Sequence, residues 1–188
     1  MAQRLIRFWV YGGFLAAFLL LALMPVCCRS WSAALVLVFA QLPVYMLHQL
    51  EEHDDDRFRR FVNRFLGGGR EVLSEKAVFV INVPGVWGVN LVSILLACLA
   101  DPGFGLIAVY LTLVNAVVHL GQAIRMRCYN PGLITAIFLF LPVGGAALWA
   151  MHSGTGISPS FDVLGFGVAL AIHLAIMLHV ALGLRRSS

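Results

Sequence analysis

The side chains able to do chemistry are concentrated in one stretch, His48-Gln49-Leu50-Glu51-Glu52-His53, with two histidines and two glutamates in six positions. On a helix His48, Glu51 and Glu52 share a face, because positions i, i+3 and i+4 are neighbours. Imidazole and carboxylate together form a donor set for Zn, Fe, Mn or Cu. Adjacent carboxylates near a bilayer boundary repel unless a metal, protons or cations neutralise them. The alternative is that Glu51 and Glu52 snorkel to the aqueous phase and do nothing further.

These residues close an apolar run, and the whole chain is built of such runs. Of its 188 residues 61% are hydrophobic and 12% charged, too little polar surface for a soluble domain of this length. Six runs, at about 8–26, 32–51, 77–99, 103–124, 133–151 and 162–184, each approach the length that crosses a hydrocarbon core. The expected fold is all-α: a single polytopic domain of six transmembrane helices. The net charge of +4 does not point to nucleic acid, because the basic residues sit in the gaps between runs. Arg4 and Arg7 precede the first run and only Arg29 lies in the first gap, while Arg57, Arg59, Arg60, Arg64, Arg70 and Lys76 crowd the second gap. Arg125 and Arg127 fill the fourth gap, and Arg185 and Arg186 follow the sixth run. The alternation places both termini on the cytoplasmic side of a cell inner membrane. The first run is long enough to be a retained span rather than a cleaved signal. Cys27, Cys28, Cys98 and Cys128 lack zinc-module spacing and read as buried thiols, with a disulfide among the first three unsupported.

Within this frame further polar residues fall at comparable depth. His119 and His179 each lie six residues before a basic pair-forming arginine, Arg125 and Arg185, or ~9 Å inside the boundary. His48 falls at a similar depth, and His173 about 9 Å deeper and on another side of its helix. Candidate metal ligands are therefore His48, Glu51, Glu52, His119 and His179, with His173 more distal. Glu51 and Glu52 are the candidate catalytic groups. His53, Asn82, Asn115, Gln122 and Tyr129 are expected in support or against substrate. Pro43, five residues before His48, should kink the second helix. After Glu52, a solvated Asp54-Asp55-Asp56 leads into an amphipathic segment over about 57–66, ended by Gly67-Gly68-Gly69. Its apolar residues Phe58, Phe61, Val62, Phe65 and Leu66 should lie on the inner leaflet, with its arginines meeting lipid headgroups.

His48-x-x-Glu51-Glu52, the isolated His119 and Tyr129-x-Pro131-Gly132 together resemble the HXXEE family of small bacterial membrane proteins, a family of unknown function. The resemblance runs from the second span into the fifth. It implies His48, Glu51, Glu52 and His119 as a core and a functional role for the Tyr129 turn. A looser likeness is to CAAX-type endopeptidases, whose glutamate pair precedes an arginine. Here Arg57 falls one residue late, and Asn115 stands where an aromatic is expected.

Three functional classes follow. The first is a non-haem oxidoreductase with two iron ions, a glutamate bridging, acting with an electron donor on a lipid or other lipophilic substrate. The second is a membrane hydrolase with a single zinc, or with no metal, in which one glutamate is the general base. The third is an ion or metal carrier, for which His152 and Asp162 are the only polar candidates on the outer half. Gly12-Gly13 and Gly144-Gly145 would permit close helix packing, including in a homo-oligomer.

Overall fold

The computed structural model describes residues 1–154 and 156–186, and among these there is no strand. Helix α1 is Ala2–Cys27, α2 Ala33–His53, α3 Arg57–Phe65, α4 Glu75–Val80 and α5 Gly88–Leu99. Then come α6 (Leu106–Met126), the single turn α7 (Leu133–Thr135), α8 (Leu141–Gly154) and α9 (Pro159–Arg186). A π-helical stretch, Ile81–Trp87, joins α4 to α5, and another, Ala136–Phe140, joins α7 to α8. Among the described residues six helices are long and apolar enough to cross a membrane. The chain is a multi-pass, all-helical membrane protein.

Local chemistry sets several of the boundaries. Ser32 and Ser74 cap α2 and α4 by accepting from the backbone N–H groups of Leu35 and Ala77. Asp101 accepts from the N–H of Gly103 and turns the chain into α6. Pro84 sits inside the first π-helical stretch, where its missing N–H cannot continue an α-helical ladder. Helix α2, by contrast, runs unbroken through Pro43.

Helix α2 is the hub. It packs against α1, α5, α6 and α8, and 56% of its apolar window is buried, against 17% for α1. Its polar residues require this: Gln41, His48, Gln49 and Glu52 could not face lipid without losing their partners. Around its middle Val44, Tyr45, Leu111, Ala116 and Phe140 form a core, while Val38, Ile94, Val109 and Met151 form another toward the far end. At that far end Asp162 accepts a 2.8 Å hydrogen bond from Tyr110 and lies 3.1 Å from His152, joining α6, α8 and α9. His152 and Asp162 are thus partners in a local tie.

The other end carries all the arginines but Arg29, and here the structure amends the expectation for α3. Phe58, Phe61 and Val62 pack on Trp9, Val10, Leu73 and Val78, leaving Phe65 and Leu66 as the exposed apolar pair. Three of the four arginines of α3 are engaged with acidic groups of the protein: Arg57 with Asp54 at 2.8 Å, Arg59 with Asp56 at 2.6 Å and Arg60 with Asp55 at 2.6 Å. Asp55 and Asp56 take left-handed backbone angles (φ 51° and 58°), which bends the chain sharply between α2 and α3. Asn63 binds the following loop, accepting from the N–H groups of Val72 and Leu73 and donating to the Leu73 carbonyl. All four cysteines are free, and only Cys28 is buried. Gly13 and Gly144 meet Trp87 and Leu113 of this same chain, so both close approaches are spent within the bundle.

Candidate metal centre

His48 and Glu52 lie one turn apart on α2, and α6 brings His119 against them. All three are buried, at 0%, 6% and 3% exposure. His48 Nε2 is 3.5 Å from one Glu52 carboxylate oxygen, and His119 Nε2 is 3.6 Å from the other. One ligand atom from each residue falls within 4.8 Å of the other two. The His–Glu separations exceed a good hydrogen bond, and His48 Nε2 has no hydrogen-bond partner. An ion bound tetrahedrally at about 2.0–2.1 Å spaces its ligands by about 3.3–3.4 Å, so the group fits a single cation.

The rest of the geometry keeps both Nε2 atoms aimed there as acceptors. Asn130 donates its amide N–H to the His119 carbonyl (2.9 Å), which turns its Oδ1 toward His119 Nδ1 at 2.6 Å. An amide oxygen only accepts, so His119 Nδ1 carries the proton and Nε2 the lone pair. His48 Nδ1 meets the Thr135 hydroxyl at 2.8 Å. That hydroxyl gives its one proton to Glu51 (2.5 Å) or to the Gly132 carbonyl (3.3 Å). It must therefore accept from His48 Nδ1–H, which again leaves Nε2 free to coordinate.

Glu51 occupies a different position from the one expected of a ligand or base. Its carboxylate accepts from the Tyr129 hydroxyl (2.7 Å), the Ile134 N–H (3.1 Å), and the N–H (2.7 Å) and hydroxyl (2.5 Å) of Thr135. It thus satisfies amides at the start of the fifth span that have no helical partner, where a negative charge is favoured. Four donors leave it little capacity to hold an ion.

Gly132 explains the end of the same turn. It has φ +97°, and a Cβ there would sit 2.7 Å from the Cε1 atoms of both His48 and His119. Only a residue without a side chain lets the turn close over the two rings. Phe140 and Tyr45 complete the enclosure, with ring centroids 4.2 Å and 5.9 Å from that of His48.

The remaining expected residues divide. His53 is buried, its Nε2 3.1 Å from Glu52, and its ring lies against Trp9 and Phe58. Asn115 reaches Tyr45 and, like Gln122, has a buried carbonyl oxygen without a partner. Asn82 accepts from Gln49, which in turn accepts from Trp87 Nε1, a network that locks α2 to the π-helical stretch. His173 is buried but bonds the Ala169 carbonyl one turn back on its own helix. His179 is exposed in a cleft with Glu71, Val72 and Gly183, so it does not join the cluster, because the outward side of α9 carries it. Asn130 and Thr135 were missing from the expected set. Asn130 had a signal in the Tyr129-Asn130-Pro131-Gly132 turn, whereas Thr135 is one hydroxyl at the head of an apolar run.

No curated protein and no solved structure matches the chain. Residues 39–150, which hold every residue of this centre, match the family model described as a protein of unknown function with HXXEE motif. The chain belongs to the HXXEE-motif family.

Proposed function

We propose that this protein is a metal-dependent membrane enzyme with one ion held by His48, Glu52 and His119, working as a hydrolase on a lipophilic ester or amide. The observation that carries this is the pair of buried Nε2 lone pairs converging on one carboxylate, each ring held by a hydrogen bond at Nδ1. A bound ion would polarise a carbonyl and activate a water at its open position. The chain's own contribution is orientation and enclosure: Asn130 and Thr135 hold the imidazoles, Glu51 holds the turn, and Tyr45 and Phe140 keep bulk water away. The centre would face the cytoplasmic leaflet of a cell inner membrane, with both termini on that side, as the distribution of arginines supports.

A second reading rests on the donor set itself. Two histidines and one carboxylate also suit ferrous iron, which would make the protein an oxidoreductase that needs dioxygen and an electron donor. The placement of Glu51 and His179 favours one ion over two in either case.

Elemental analysis of the purified protein tests both the site and its count. One ion per chain is expected, lost in Glu52→Gln and His119→Ala but retained in Glu51→Gln. Two irons per chain, or equal loss in Glu51→Gln, would overturn the single-ion centre. Zinc with anaerobic turnover supports the hydrolase, and iron with oxygen-dependent turnover the oxidoreductase.

A further inference from the structure

A cleft of about 350 Å³ opens at the arginine-rich end, between the start of α1, the bend after α2 and the start of α4. Arg7, Trp9, Tyr11, His53, Arg60 and Glu75 are among its walls. Its back is aromatic, the His53 ring lying 5.1 Å from Trp9 and 5.5 Å from Phe58 between centroids. Through His53, 3.1 Å from Glu52, it adjoins the candidate metal centre. A second cleft, lined by Arg7, Lys76 and Glu75 among others, shares its rim.

The charges along these walls are unevenly matched. Arg60 is paired with Asp55 at 2.6 Å. Arg59 serves three carboxylates, Asp56 at 2.6 Å, Glu71 at 2.7 Å and Glu75 at 3.8 Å, so Glu75 is the least compensated. The Arg7 guanidinium lies over the Phe8 ring, and neither Arg7 nor Lys76 has an acidic partner among the described residues. One cleft therefore presents a free guanidinium and a weakly paired carboxylate beside aromatic faces. A purely anionic ligand would gain from Arg7 but meet Asp55, Asp56 and Glu75, and a purely cationic one would meet Arg7. A ligand carrying both charges satisfies the two.

We propose that this cleft binds the headgroup of a zwitterionic phospholipid with a primary ammonium. The phosphate lies at Arg7, with Lys76 at the rim, and the ammonium lies at Glu75 and the faces of Trp9 and Tyr11. The acyl chains lie along α1, where Leu5, Phe8, Leu15 and Leu19 are exposed. As the place where a substrate's polar end docks, this rests on the metal-centre reading. As a lipid site, it stands on the cleft alone.

Calorimetric titration of the full-length, metal-free protein in detergent tests it, with dihexanoylphosphatidylethanolamine as the probe. Saturable binding is expected, weakened about tenfold by Arg7→Gln and by Glu75→Gln, and restored by Arg7→Lys. His119→Ala should bind the lipid like wild type, which separates the cleft from the metal centre. Equal affinity for dihexanoylphosphatidylglycerol, with no effect of Glu75→Gln, would overturn the zwitterion. Free phosphoethanolamine binding as tightly as the lipid would overturn the membrane source.

Discussion

At the residue scale the two glutamates of the motif have separate jobs, and the division follows from what each carboxylate meets. Glu52 is buried among the imidazoles of His48, His53 and His119, and Glu51 meets the backbone amides and hydroxyls of the turn before the fifth span. Gly132 is the residue that joins the two halves, lying over both rings with a backbone angle that disfavours side chains. Gly132→Ala should therefore abolish metal binding and lower stability by about 1–3 kcal/mol, since it adds both strain and overlap. Metal content beside a thermal-unfolding curve checks this, and retained metal at wild-type stability would contradict it. Tyr129 carries a pH prediction. Burial, then its hydrogen bond to the Glu51 carboxylate, pushes the phenol up to about 12. A group whose folded value lies above its unfolded one stabilises below the unfolded value, near 10 for tyrosine, and loses that contribution as pH rises toward 12. Stability should fall between about pH 10 and 12 in wild type and fall less in Tyr129→Phe, as followed by unfolding at each pH.

At the scale of elements, the site depends on segments that depart from regular α-helix. One π-helical stretch holds Trp87, which donates to Gln49 beside His48, and the other ends at Phe140 on the His48 ring. Both widen a helix where it faces α2, which gives side chains room to approach the hub. The arginine-rich end is held together by α3 and its loop, and there Asn63 is the tie. Asn63→Ala would leave the N–H groups of Val72 and Leu73 without their acceptor, at a cost of about 1–3 kcal/mol if they stay buried. Faster hydrogen exchange at these two amides, with the amides of α6 unchanged, is the expected signature.

For the whole molecule, the arrangement is a hub with satellites: α2 at the centre, α1 at the rim, and the polar groups drawn to one end. The centre lies beside the end that bears all the arginines but Arg29, while the Tyr110–Asp162–His152 tie marks the other. Cys128, next to Tyr129, and Cys27, at the far end of α1, are both exposed and report on the two ends separately. An impermeant maleimide should label Cys128 in inverted vesicles and Cys27 in intact cells. The opposite pattern would reverse the orientation.

The sequence by itself determined the all-helical class and the six apolar helices, and it pointed to three residues that the fold gathers into one cluster. Each of these is written in local terms: run length against bilayer thickness, arginines against gaps, and ligand types at helical spacing. His48, Glu52 and His119 were legible because each is an ionisable group at membrane depth, where nothing trivial keeps it. Only the tertiary structure decided what each group is bound to. Glu51 and Glu52 are neighbours in sequence with the same chemistry, and packing turns one toward the start of the fifth span and the other toward α6. His179 matched His119 in depth, but depth leaves the rotation of a helix about its axis undetermined, and α9 turns it outward. Thr135 and Asn130 act through bonds to residues 87 and 11 positions away in sequence, a separation that no local spacing encodes.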